Sequence, residues 1–223
     1  MRSILAVMAM AIAKPRYSRD ENPPFPRGQT FCNGGTIDSS DLTSLPGANL
    51  EGKEWVFEDV APSNGALRTN HQVRCRIVRN MASFNLLPSR ALAVYTTAAG
   101  QQLSRTGGYT TTTAADFQGV VDEYLPAAGV PQYDLFWAVI DGPSVVYTDI
   151  AAAAGNVIGL GVRVVALTAV TSGATTAGRV AVQDLTGATA LLGNQVQNII
   201  GRALTAATTA NTNTGILVYV TDR

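Results

Sequence analysis

The chain has one histidine, His71, and two cysteines, Cys32 and Cys75, in 223 residues. A structural zinc site takes four ligands, so this stock excludes a structural zinc centre built from His and Cys alone. The cysteines lie far apart and in no metal spacing. Two unpaired thiols are the simpler reading, with a disulfide as the alternative. Charge is also scarce. Asp, Glu, Lys and Arg make up 14% of the chain, against about 25% in an ordinary soluble domain. Acidic and basic residues balance at 16 each. Nucleic-acid binders need a net basic face to release counterions, so no nucleic-acid partner is expected. So little charge protects a lone monomer poorly from association, which points to a surface covered by neighbours. Long hydrophobic runs are lacking too. "ILAVMAMAIA", from Ile4, is about ten residues, too short to span a bilayer, and no membrane partner is expected.

The usual signatures of chemistry are missing. The sequence contains no G-x-S-x-G, no H-E-x-x-H and no P-loop. His71 sits in "RTNHQVR" with no nucleophile motif nearby, and reads as structural. Asp122-Glu123 and Glu58-Asp59 are adjacent pairs. Neighbouring strand residues point to opposite faces, so neither pair forms an acid–base dyad, and both read as solvated. "GLGVRVVAL" has Gly159 and Gly161 but no third glycine in register and no following helix, so it is not a dinucleotide fingerprint. No catalytic residue, metal or cofactor is expected.

What is present is strand sequence. "EWVFEDV" alternates Trp55 and Phe57 with Val56 and Glu58. "QVRCRIVR" sets Val73, Cys75 and Ile77 on one side and Arg74 and Arg76 on the other. "ALAVYTT", "GYTTTTA", "GVVDEYL", "LFWAVIDG", "SVVYTDI", "IGLGVRVVAL", "AGRVAVQD", "IIGRALTA" and "GILVYVT" follow. Thr106-Gly107-Gly108, Asp141-Gly142-Pro143 and Ser172-Gly173 read as turns between them. "AADFQGVVDEYL" admits one helical turn instead. Short β-branched and aromatic runs with regular turns predict an all-β domain, a compact β-sandwich or β-barrel, over 50–223.

Residues 1–49 read differently, as an extended N-terminal arm. Arg2, the apolar run and the A-x-A of Ala11 and Ala13 look like a short signal peptide. As a helix, the run puts Ile4, Leu5, Met8 and Ile12 on one face. An uncleaved arm docked on a neighbour and a short helix packed on its own domain are both open. "NPPFPRG" places Phe25 among three prolines on an extended path. "CNGGTIDSSDLTSLPG" strings turn formers together. Ile4, Leu5, Met8 and Phe25 are therefore candidate contacts with a partner. Arg74 and Arg76 share a strand face and are candidates to meet a partner's carboxylates; the alternative is a solvated face that guards an edge strand. In "GILVYV", Ile216, Val218 and Val220 point one way and Leu217 and Tyr219 the other. An exposed antiparallel strand should alternate apolar with polar, so this one is either central to a sandwich or covered by a second subunit, and Leu217 and Tyr219 are candidates for self-association.

Four stretches carry a family likeness: "NLEGKEWVFEDV" (49–60), "VVDEYLPAAGVPQYDLFWAVIDGPSVV" (120–146), "AGRVAVQD" (177–184) and "NIIGRALTAATTANTNTGILV" (198–218). The strand ending in "GRAL", the alanine and threonine connection and the last apolar strand resemble tailed-phage head decoration proteins, also called cement proteins. That resemblance implies a compact β domain, a homotrimer, and a place on the outer surface of a virion's capsid, where it clamps adjacent major capsid proteins. It carries over no catalytic residue. The alternatives are another viral structural protein, such as a small capsid or tail component, and a secreted carbohydrate-binding β-sandwich module.

Overall fold

The computed structural model describes residues 22–31, 45–61, 64–93, 104–109, 117–147, 163–166, 180–182, 199–205 and 215–220. These hold a short 3₁₀ turn, Ala48–Leu50, and eleven strands: β1 (Glu54–Val60), β2 (Leu67–Asn80), β3 (Ala91–Ala93), β4 (Arg105–Thr106), β5 (Gly108–Tyr109), β6 (Phe117–Val121), β7 (Leu135–Tyr147), β8 (Arg163–Ala166), β9 (Val180–Val182), β10 (Ile199–Ala203) and β11 (Gly215–Val220). The domain is all-β, as the alternation predicts. Each strand run named from "EWVFEDV" to "GILVYVT" contributes to a strand. "AADFQGVVDEYL" supplies β6 at Phe117–Val121.

β2 and β7 form the spine. β2 pairs antiparallel with β1, Trp55 opposite Cys75 and Phe57 opposite Val73. On its other edge it pairs antiparallel with β7, Ile77 opposite Trp137. β7 also pairs with β6 and, along its second half, with β11. The path then runs from β6 to β3 and β5, and from β11 to β10, β8 and β9. Every pairing among these strands is antiparallel except the short one of β2 with β4.

Burial follows the two-residue period at first. Val73, Cys75 and Ile77 are fully buried, while Arg74 and Arg76 between them are half-buried. After Ile77 the alternation stops, and Val78, Arg79 and Asn80 are buried as well. The reason is a second core. Leu135, Trp137 and Val139 belong to one apolar cluster, with Val73, Cys75, Ile77, Val146, Val218 and Val220. Phe136 and Ala138 belong to another, with Val78, Leu86, Leu92, Val121 and Val130. Successive strand residues face opposite ways, so β7 is covered on both faces.

Asp141-Gly142-Pro143 is not a turn. It lies inside β7, where the strand bends instead of reversing. Arg74 pairs with Asp141 but Cys75 with Val139, which leaves Ile140 as the extra residue of a β-bulge. Gly142 follows at φ 101°, and a Cβ there would lie 2.3 Å from the Gln72 carbonyl oxygen. Pro143 has no N–H to give to a ladder. Past this corner β7 changes partners, from β2 to β11. Thr106-Gly107-Gly108 does separate two strands, β4 and β5. Ser172-Gly173 lies outside the described residues.

The expected boundary at residue 50 also needs correction, because residues 22–31 are built into the domain. Phe25 is only 6% exposed and sits in the first core cluster. Its ring lies 5.2 Å from that of Trp137, and the Trp137 Nε1–H donates to the Phe25 carbonyl at 3.0 Å. Phe31 and Leu135 exchange backbone hydrogen bonds at 2.9 and 3.0 Å. Leu45 is buried too. Prolines give the segment an extended path with few N–H groups to satisfy, so apart from the single Phe31–Leu135 bridge it lies on the sheet without joining a ladder. Phe25 is thus a core residue of its own domain and not an open surface contact.

Candidate functional site

The polar residues that the fold brings together most tightly are ones that the sequence pattern hides. Asp122 follows β6 directly and is fully buried. Its Oδ1 accepts from Arg27 Nε at 3.1 Å and Nη2 at 2.7 Å, and its Oδ2 from the Gly28 N–H at 2.9 Å. Arg68, at the start of β2, bridges two more carboxylates. It gives Nε and Nη2 to Asp59 Oδ1 at 3.0 and 2.6 Å, and a bidentate pair to Glu123 at 2.9 Å each. Thr69 Oγ1 donates to Asp59 Oδ2 at 2.7 Å. The backbone N–H of Val145 donates to Glu123 at 3.3 Å. Asp59 and Glu123 are buried with side-chain exposures of 0% and 3%, so Asp59, Asp122 and Glu123 are not solvated, contrary to expectation. Only Glu58 of the two adjacent pairs is exposed.

Aromatic rings close the cluster. The Arg27 guanidinium lies 4.4 Å from the Tyr124 ring centre and 5.8 Å from that of Phe57. The Tyr124 hydroxyl donates to the Val60 carbonyl. Burial opposes the Arg27 charge, but the neighbouring Cys75 sulphur and Asp122 outweigh it and hold the guanidinium above its usual pKa. Arg68 is raised likewise: burial opposes, and the bonds to Glu123 and Asp59 win. Burial pushes the Cys75 thiol up to about 12, against the pull of Arg27. Cys75 is a free thiol; Cys32 lies outside the described residues.

A second cluster sits at the far end of β2. Arg79, fully buried, donates through Nε to Glu51 at 2.5 Å, through Nη1 to the Tyr133 carbonyl at 2.6 Å and through Nη2 to the Pro46 carbonyl at 2.7 Å. Arg105 Nε holds the other Glu51 oxygen at 2.7 Å. Asn80 beside it ties three carbonyls, those of Phe84, Val130 and Pro131, with one amide.

These arrangements fasten. A general base needs a reachable lone pair for a substrate proton, and the carboxylates of both clusters are buried against guanidinium groups. Among the described residues no group of His, Cys, Asp and Glu is placed to hold a metal ion, and no helix is long and apolar enough to cross a membrane. The open feature next to the first cluster is a groove of about 670 Å³ between residues 23–29 and β1, lined by Pro23, Pro26, Gln29, Val56, Val60 and Tyr124 among others.

The residues singled out from sequence do not converge. Arg74 and Arg76 share a face of β2, but Arg76 is engaged by Glu54 at 2.6 Å, and Arg74 stands opposite Asp141 in the ladder. Leu217 and Tyr219 are half-buried on β11. Tyr219 meets His71 edge-on, ring centres 5.4 Å apart, which brings β11 against β2. Ile4, Leu5 and Met8 lie outside the described residues. Arg27, Asp59, Arg68, Asp122 and Glu123 escape a sequence reading because their partners are 9 to 95 residues apart. The one available signal was charge inside a sequence so poor in it.

No family model, curated protein or solved structure matches this chain.

Proposed function

We propose that this chain is a capsid cement protein. It binds the outer surface of an icosahedral phage head as a homotrimer and holds adjacent major capsid proteins together without catalysing a reaction. The observation that carries this reading is the use of its buried charge: three carboxylates and two arginines are consumed in fastening residues 22–31, β1, β2 and the residues after β6 to each other. The resemblance of the β domain to decoration proteins gives the direction. The low charge of the chain suits a surface covered by neighbours. A ligand that binds the expanded shell and not its precursor stabilises the expanded form, and many copies bridging shell subunits add avidity without strong single contacts. A sugar-binding module is less well supported, because the Tyr124 ring that borders the groove has one face under Arg27 and its hydroxyl engaged.

The test is to mix the purified chain with expanded heads assembled from the major capsid protein of the same genome. Saturable co-sedimentation and a raised melting temperature of the heads are expected, and His71→Ala should leave both intact. Heads that neither bind the chain nor gain stability sink the reading, as does any turnover that His71→Ala abolishes.

A further inference from the structure

Among the described residues, β1 has a strand neighbour on one edge only, β2. Val56, Phe57, Glu58 and Val60 of β1 line the groove together with Pro23, Pro26 and Gln29, and of these the Val60 carbonyl accepts from Tyr124. Residues 22–30 run alongside yet make no backbone hydrogen bond to β1. An open strand edge is a template for another strand. Leu67, the ladder partner of Val60 on the β2 side, is 63% exposed, the most of any large apolar side chain described.

The sequence leading into this groove has the chemistry to fill it. Twenty-one residues precede Asn22, and Ser3–Ala13 contains no charge. Extended, that stretch lines Ile4, Met8, Met10 and Ile12 on one side, with smaller residues dominating the other. Lys14, Arg16 and Arg19 follow and complement the exposed Glu58. Pro15, Pro23 and Pro24 favour an onward path over a tight reversal onto the same groove. Fully extended, about 20 residues reach on the order of 70 Å, enough to find another molecule. We propose that Ser3–Ala13 of one copy docks in this groove of a second copy as an added strand on β1. This self-association does not depend on the shell reading.

The test uses the full chain and two single variants, Val56→Glu in the groove and Met8→Asp in the segment. Sedimentation equilibrium should show the unaltered chain associating. Each variant alone should associate about 10–100-fold more weakly, the loss expected for one buried apolar side chain, with an unchanged thermal melt. Mixing the two variants should restore association, because one supplies an intact segment and the other an intact groove. An unaltered chain that stays monomeric overturns the proposal and leaves the groove to its own segment or to another protein. Association that ignores both substitutions also overturns it and moves the contact elsewhere, with the β11 face of Leu217 and Tyr219 the next to test. A mixture that fails to recover overturns exchange between copies.

Discussion

Around Arg27 and Arg68 two guanidinium groups serve three carboxylates, Asp59, Asp122 and Glu123. Around Arg79 and Arg105 the described residues place two guanidinium groups on one carboxylate, Glu51. Counted over the described residues, the first cluster has a surplus negative charge and the second a surplus positive one. Each surplus is met by neutral dipoles of the right sign. N–H and O–H donors from Gly28, Thr69 and Val145 turn toward the first cluster. Carbonyl oxygens of Tyr133 and Pro46 turn toward Arg79. Burying an unpaired charge costs several kcal/mol, and backbone groups supply compensation that no count of charged residues reveals.

Removing Asp122 should expose this difference most. Asp122→Ala strands Arg27 inside the first cluster and leaves the Gly28 N–H without its acceptor. A loss of about 3–5 kcal/mol is expected, read as a fall in the urea midpoint. A loss under about 1 kcal/mol would mean that water enters and solvates Arg27. Arg79→Met should cost less, about 2–3 kcal/mol, because Glu51 keeps Arg105 and the Pro46 carbonyl can turn to water. Equal losses for the two variants would erase the contrast.

Cys75 sharpens it by pH. Its thiol, beside Arg27, is raised by burial from 9.0 to about 12. The folded state therefore holds a proton that the unfolded chain releases. The contribution is whole below pH 9 and is lost as pH climbs from 9 toward 12, at up to about 1.4 kcal/mol per pH unit. Urea midpoints at pH 8 and pH 10 should fall more steeply for the native chain than for Cys75→Ala. Parallel slopes would refute the linkage. The smallest effect belongs to Arg76, whose pair with Glu54 is partly open to solvent. Arg76→Ala should cost less than about 1 kcal/mol, and salt should shrink it further.

The sequence made the strands legible where one face alone is apolar, as at Val73–Ile77. It failed where structure depends on distant partners. Arg74, Arg76 and Arg79 look alike in "RCRIVR", yet only Arg79 is fully buried, because Glu51, Pro46 and Tyr133 converge on it. Phe25 reads as an arm contact because a proline-rich run has no periodicity to declare a buried face. Asp141-Gly142-Pro143 reads as a turn because its residues suit one. Only the ladder opposite, with Ile140 bulged, distinguishes a bend within a strand from a reversal. The groove was invisible for the same reason, since residues 23–29 and β1 meet only in the fold.

The bend in β7 has a kinetic consequence. One strand serves as the central partner of β2 and β6 and then of β11. β6 precedes it in sequence, but the pairings with β2 and β11 join distant parts of the chain. The two halves of the sheet therefore cannot be joined through β7 by local contacts alone. The entropy of large loops must be lost before the core rewards it, which places folding in the slow class of β proteins, on the order of milliseconds to seconds. During that interval β7, apolar on both faces, stands exposed. A chain made in many copies would then depend on how quickly β2 arrives to cover it, and substitutions at Gly142 would act first on the yield of folded protein and only afterwards on its stability.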